Sequence, residues 1–210
     1  MANLTFPKDD PLFGLAAFAW GSTNAVRSSG ASPVSDSEQL TSVPYSHRWT
    51  AQVTIRRART FAERAKVEAT IDRWADPLNR VVLPHLAHLT PYGTMRGAPV
   101  LAGAHAQGTR TLNITCDAGS TVDAGTMLGV TTTASYPIQV VRVAVGGTAN
   151  GSGALSLTSG QPLRAAANSG AAVVWDMPSA LFRLRSWEMR ASFIPGEMEQ
   201  IVLDFVEVTS

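Results

Sequence analysis

The sequence has almost no cysteine: Cys116 is the only one among 210 residues. A single thiol excludes a disulfide within the chain and a metal cluster built from cysteines. It also fits a protein that is made in a reducing cytoplasm. Because Cys116 alternates with Leu112 and Ile114 in a strand-like segment, we expect a buried core thiol and not a nucleophile.

Charge is also scarce, and it is nearly balanced. The chain carries 17 Lys+Arg against 16 Asp+Glu, a net charge of +1, and Lys8 and Lys66 are its only lysines. Such neutrality argues against a protein whose main task is to grip a phosphate backbone. The preference for arginine either favours the planar, multi-bond contacts of subunit interfaces or follows from a GC-rich genome.

Long hydrophobic runs are missing. The longest apolar stretch, Leu12 to Trp20, is too short to span a bilayer and contains Gly14. The first 14 residues lack a basic start followed by an apolar run, so we expect no signal peptide. These features predict a chain without a membrane anchor.

One segment has the pattern of a helix. Thr60 and Glu63 have the spacing of a capping box, in which a hydroxyl and a carboxylate each accept a backbone N–H. Pro77 then ends the run, which predicts a helix over residues 60–76. An apolar stripe that would pack onto a sheet is formed by Val67, Ile71, Trp74 and Leu78.

The remaining sequence is typical of β structure. Residues 49–56 alternate between apolar and polar positions, which predicts a strand with one wet face. From residue 111 onward, short strand-like segments follow one another between Gly, Asn, Asp and Ser turns. The sequence therefore predicts a single domain over residues 1–210, mainly β with one flanking α-helix, as a sandwich or barrel.

Three further segments complete this organisation. Residues 12–26 read as a first strand, bent near Gly14. Residues 27–47 are rich in Ser, Gly and Pro without a visible period, which indicates an extended arm or loop. Residues 90–110 contain several Pro and Gly residues and predict a long loop with one short strand near Val100.

No catalytic, cofactor-binding or metal-binding pattern stands out. The histidines are isolated, and although His85 and His88 form an H-x-x-H pair, no acidic residue or cysteine accompanies them, so we expect solvated loop histidines. No nucleophile elbow, phosphate loop or dinucleotide glycine pattern is present. We therefore expect no enzyme activity, and the remaining histidines are His47 and His105.

Five residues are candidates for a subunit interface: Arg56, Arg57, Arg59, Trp175 and Trp187. The arginine cluster could bind nucleic acid or an anionic partner. Without interleaved aromatic residues, solvated or subunit-bridging arginines are the simpler interpretation. The two tryptophans follow polar strand edges, where they could anchor an interface or stack on a sugar ring.

The order of these features resembles one known family, the distal tail proteins of siphophages and of gene transfer agents. The resemblance covers residues 12–208 as an order of segments. A first strand is followed by SPVSDSEQ (32–39), RWTAQVTI (48–55), the capped helix (60–78), RVVLPHLAHLTPYGTMRGAP (80–99), SLTSGQPLRAA (156–166), SALFRLRS (179–186) and DFVEV (204–208).

The resemblance implies a tail-tube-like β fold and a place at the virion tail tip, also called the baseplate hub. Such subunits form a six-fold ring between the tail-tube protein and the tail-tip hub protein. The ring leaves a channel through which DNA passes as cargo without being a bound ligand. Two alternatives stay open, a tail-tube subunit and a carbohydrate-binding β-sandwich module.

Overall fold

The computed structural model describes most of the chain. The described residues are 2–13, 15–23, 26–32, 35–42, 47–56, 58, 60–87, 90–134, 138–188 and 201–208, of which 26–32, 35–42 and 187–188 are described by their backbone alone. The strands, in chain order, are β1 (Asn3–Thr5), β2 (Leu15–Thr23), β3 (Val26–Ser32), β4 (Ser35–Ser42), β5 (Arg48–Ile55), β6 (Arg80–Pro84), β7 (Val100–Leu101), β8 (Thr111–Thr115), β9 (Thr121–Val122), β10 (Met127–Thr131), β11 (Ile138–Val145), β12 (Gly147–Thr148), β13 (Ala154–Ser159), β14 (Val173–Val174), β15 (Ser179–Glu188) and β16 (Ile201–Glu207). One α-helix, α1 (Phe61–Ala75), and a short 3₁₀ turn (Pro11–Phe13) accompany them.

The first sheet has the order β1-β6-β15-β16-β5-β2 and is antiparallel except for the parallel pair β1–β6. In β5 the side chains of Trp49, Ala51, Val53 and Ile55 are buried, while the alternate positions are exposed or half-buried. This pattern confirms the predicted strand with one solvent-facing side. The alternation arises because successive side chains of a pleated strand point to opposite faces.

The helix packs on the inner face of the first sheet. Its N-cap is Thr60, whose hydroxyl accepts the backbone N–H of Glu63 at 3.2 Å, as the capping spacing predicts. The stripe prediction is wrong for Leu78, which is 61% exposed. The helix ends at Ala75, and Leu78 lies in a turn that Asp76 caps, where the helical period no longer applies.

The second sheet, with the order β14-β10-β11-β13-β8-β7, is built wholly from the chain between β6 and β15. These two strands are antiparallel neighbours in the first sheet, with Ser179 opposite Pro84. The His85 N–H donates to the Pro178 carbonyl at 3.0 Å, so the two ends of the intervening segment meet. The second sheet is thus an insertion between two paired strands.

Two apolar clusters form the core. The first lies between the first sheet and α1, and it includes Met127 and Val140 from the second sheet. The second lies within the second sheet and the segment before it, where Met95 and Leu101 are buried. The short strand that was predicted near Val100 is confirmed as β7. The predicted fold class, mainly β with one helix, is also confirmed, and the sheets curl into half-barrels.

The predicted arm at 27–47 is largely a hairpin. Strands β3 and β4 pair with each other in an antiparallel two-stranded sheet of their own. The sequence showed no strand there, because pairing through backbone N–H and carbonyl groups needs no apolar alternation.

The first strand was predicted over residues 12–26, but β2 begins only at Leu15. Pro11–Phe13 form a 3₁₀ turn, and Phe13 packs against Phe6 and Trp74. The bend was predicted near Gly14, which lies outside the described residues.

Candidate assembly surfaces

The long edge of the first sheet is strand β2. Within the described part of the chain, β2 is paired on one side only, with β5, over the full length from Leu15 to Thr23. Its sequence, LAAFAWGST, contains no charged residue and no proline. Proteins usually protect an open edge with such residues, so an unprotected edge of this length is suited to pairing with another chain.

The other described edges of the two large sheets are much shorter than β2. The opposite edge of the first sheet is β1, with three residues, and the second sheet ends in β7 and β14, with two residues each. Only β2 therefore presents a long row of backbone groups among the described strands of the two large sheets.

The hairpin arm of β3 and β4 adjoins this edge in the chain. Thr23, the last residue of β2, is paired with Arg48, and Val26, the first residue of β3, is paired with Ser42. The arm therefore lies between β2 and β5 in the sequence and is not a strand of either large sheet.

The outer face of the first sheet is mixed, with Val202, Asp204 and Val206 on β16 and with Thr50, Gln52 and Thr54 on β5. In β5, Gln52 is exposed, and its side-chain amide donates to Asp204 Oδ1 at 2.9 Å. The Ser186 hydroxyl donates to Asp204 Oδ2 at 3.2 Å, and Arg183 is exposed beside them. On β2 this face carries Ala19, which lies opposite Gln52. This face therefore combines a hydrogen-bonded polar group with half-buried valines and a margin of small residues.

The predicted arginine cluster is only partly described. Arg56 is exposed, and its guanidinium donates to the Pro11 carbonyl at 2.9 Å, which ties the end of β5 to the 3₁₀ turn. Arg57 and Arg59 lie outside the described residues. Of the predicted cluster, the described residues therefore include Arg56 alone.

Trp175 is held within the protein. Its indole N–H donates to the Gly97 carbonyl at 2.8 Å, and the Arg96 guanidinium lies 5.4 Å from the ring centroid, a cation–π distance. The ring also packs against the second apolar cluster. Trp187 lies in β15 opposite Leu203, with its side chain outside the described part.

The expectation of solvated histidines is wrong for His47, His85 and His105, which are all buried. His85 stacks on Trp20, with ring centroids 4.5 Å apart. His105 suits a buried position because both of its ring nitrogens have backbone partners, at Gly103 and Asn113. His88 lies outside the described residues, so the structure does not describe the H-x-x-H pair.

Cys116 is only partly buried, because β8 ends at Thr115 and the thiol stands just beyond it against the second cluster. Burial, and next the nearby Asp117 carboxylate, raise the pKa of the Cys116 thiol. A raised pKa lowers the thiolate fraction, so the thiol is poorly suited to act as a nucleophile. Across the described residues, no three His, Cys, Asp or Glu side chains converge as metal ligands.

The sequence reasoning missed a buried ion pair between Arg164 and Glu207. A signal was available: Ile201, Leu203, Phe205 and Glu207 are the inward positions of β16. A carboxylate in an inward register requires a partner, because an unpaired buried charge is very costly. The partner itself lies in a loop of the second sheet, which the sequence pattern does not indicate.

No model of a protein family matches the chain, and no curated protein matches it. In the part of the chain that is described, no helix has the length and apolar character needed to cross a membrane.

Proposed function

We propose that this chain is a structural virion subunit that forms a ring at the distal end of a phage tail. The ring joins the tail tube to the tail-tip hub and leaves a channel for the genome, without catalysis. The observation that carries the proposal is the long, uncharged, open edge of β2, from which the chain continues into the hairpin arm.

A closed ring needs two different surfaces on each subunit, one for each neighbour. The first sheet offers two unlike edges, β2 and β1, and the arm offers a further element that can order on a neighbouring copy. Backbone groups at an edge are satisfied when another chain pairs with them, so exposure in the free subunit and burial in a ring are compatible.

The outer face of the first sheet supports the proposal that the ring surrounds a channel. One group of its polar side chains, Gln52, Asp204 and Ser186, is hydrogen-bonded internally, and the whole chain carries a net charge of only +1. A wall of this kind attracts a polyanion only weakly, which suits a passage and not a binding site.

The carbohydrate-binding alternative receives less support. Sugar stacking needs an open aromatic face, and the Trp175 ring is occupied by Arg96 and by the second apolar cluster. A tail-tube subunit would use the same edge, but it would stack into open-ended tubes.

Mass photometry followed by negative-stain microscopy tests the proposal, using the purified chain alone and mixed with tail tubes. We expect single closed rings, at least on the tube ends that act as a template. Open-ended tubes would instead identify a tail-tube subunit. Binding of a glycan array without any self-association would contradict the proposal.

The arm has a test of its own. Deleting residues 28–44 should weaken ring formation or attachment to the tube while the thermal unfolding of the remaining body stays unchanged. Unaltered assembly of the deletion variant would rule out a role of the arm in the ring.

A further inference from the structure

Glu207 is a buried carboxylate at the end of the first sheet. It occupies the last inward position of β16, and its relative exposure is 2%. A charge in such a place costs several kcal/mol of desolvation unless it is paired and fully hydrogen-bonded. The groups that satisfy it therefore indicate what the position does.

Both carboxylate oxygens of Glu207 are occupied. Arg164 Nη1 donates to Oε2 at 2.8 Å, and Arg164 Nη2 donates to Oε1. The backbone N–H of Trp49 also donates to Oε2, at 2.9 Å. This two-pronged geometry fixes the guanidinium plane as well as its position.

Arg164 belongs to the inserted segment, and it reaches the root of the hairpin arm. Its Nη1 also donates to the carbonyl of His47, at 3.1 Å, and His47 is the first described residue after the arm. The backbone of Arg164 is held in turn, because its N–H donates to Gln139 Oε1 at 2.7 Å. The Gln139 amide donates to the Pro162 carbonyl at 3.1 Å, which braces the same loop.

The two sheets have other contacts that hold them together. The Trp49 indole N–H donates to the Val140 carbonyl at 2.9 Å, and Val140 and Met127 are buried in the first cluster. Replacing a buried ion pair by apolar residues often leaves stability unchanged, so such a pair is better explained by the geometry that it imposes.

We propose that the Arg164–Glu207 pair is a clamp that fixes the root of the hairpin arm, so that the inserted second sheet sets the direction in which the arm leaves the body. The effect of that direction on ring closure rests on the proposed function. The clamp itself is a property of the single chain.

Distance measurements between spin labels test the clamp on the full-length monomer. The first pair of nitroxides is attached in a Cys116→Ser background, at Ser37→Cys in β4 and at Asp72→Cys on the exposed side of α1. It reports the distance between the arm and the body. A second pair, Ser152→Cys with Asp72→Cys, reports the arrangement of the two sheets. Double electron–electron resonance yields the distance distribution for each pair.

The main variant is R164M/E207Q, which leaves the net charge unchanged. The Glu207→Gln change keeps a side-chain oxygen for the Trp49 N–H, whereas the bonds from residue 164 to Glu207 and His47 are lost. The matched control is R64M/E68Q, which removes the more exposed Arg64–Glu68 pair of α1 in the same way.

We expect the arm distribution to widen roughly twofold in R164M/E207Q, because the root loses its fixed orientation. The distribution between the sheets and both distributions of the control should stay unchanged. An unchanged arm distribution in the folded variant would overturn the clamp. An equal change in both distances would also overturn it, since the pair would then hold the sheets together.

A milder variant keeps the test decisive if R164M/E207Q does not fold. Arg164→Lys retains the charge but not the two-pronged geometry, and we expect an intermediate broadening of the arm distribution. Unfolding of both variants would mean that the pair holds the fold, which contradicts the proposal. These measurements use the monomer, so a negative result argues against the clamp alone. Failure of the chain to form a ring argues instead against the proposed function.

Discussion

The ring of His105 bridges two backbone segments of the second sheet. Nδ1 lies 2.8 Å from the Gly103 carbonyl oxygen, and the Asn113 N–H donates to Nε2 at 3.0 Å. A carbonyl requires a donor and an N–H requires an acceptor, so Nδ1 donates to Gly103 while Nε2 accepts from Asn113. His105→Phe removes both bonds while keeping an aromatic ring in place. We expect a loss of about 1–2 kcal/mol of unfolding free energy in urea titrations, and an unchanged midpoint and slope would refute this role.

We expect His47 to make the stability of the protein depend on pH. Burial is the main cause that lowers the pKa of His47, Arg164 and Arg142 lower it further, and the nearby Glu207 carboxylate raises it. The unfolded chain therefore binds a proton at a higher pH than the folded chain, and stability is lost as the pH falls through the usual histidine range. The melting temperature should fall between about pH 8 and about pH 5.5. His47→Gln should reduce that fall, and an identical pH profile in this variant would contradict the assignment.

In the proposed ring, strand β2 is the element through which copies of the chain would pair. Ala17 and Ala19 are exposed on the outer side of this edge strand, where lysines leave the fold intact but oppose pairing with another chain. We expect A17K/A19K to remain a folded monomer that forms no rings, as measured by mass photometry. The matched control A62K/A65K places the same charges on exposed positions of α1 and should still assemble. Rings formed equally by both variants would exclude β2 as the contact.

At the scale of the whole molecule, the sequence predicts what is local and misses what is distant. The alternation from Trp49 to Ile55 and the Thr60 cap are set by neighbours along the chain, so both were predictable. The pairing of β6 with β15, which makes the second sheet an insertion, joins segments that the whole of residues 85–178 separates. No periodicity encodes such a contact.

The candidate surfaces also include local features that the sequence predicts and distant contacts that it does not. Composition predicted a near-neutral chain without metal ligands or catalytic motifs, but it could not tell which tryptophan is open to a partner. Trp175 is occupied by Arg96 and Gly97, residues that stand far from it in the sequence. The edge position of β2 likewise depends on the order of strands in the sheet, which is a property of the folded chain alone.

The proposed function assigns this chain to a tailed particle, and a high-resolution map of that particle tests the central claim most directly. We expect the chain in a closed ring between the last tube ring and the tip hub, with β2 paired to a neighbouring copy and the outer face of the first sheet toward the channel. Density for the chain anywhere other than the tail end, or turnover of a substrate by the isolated subunit, would contradict the claim.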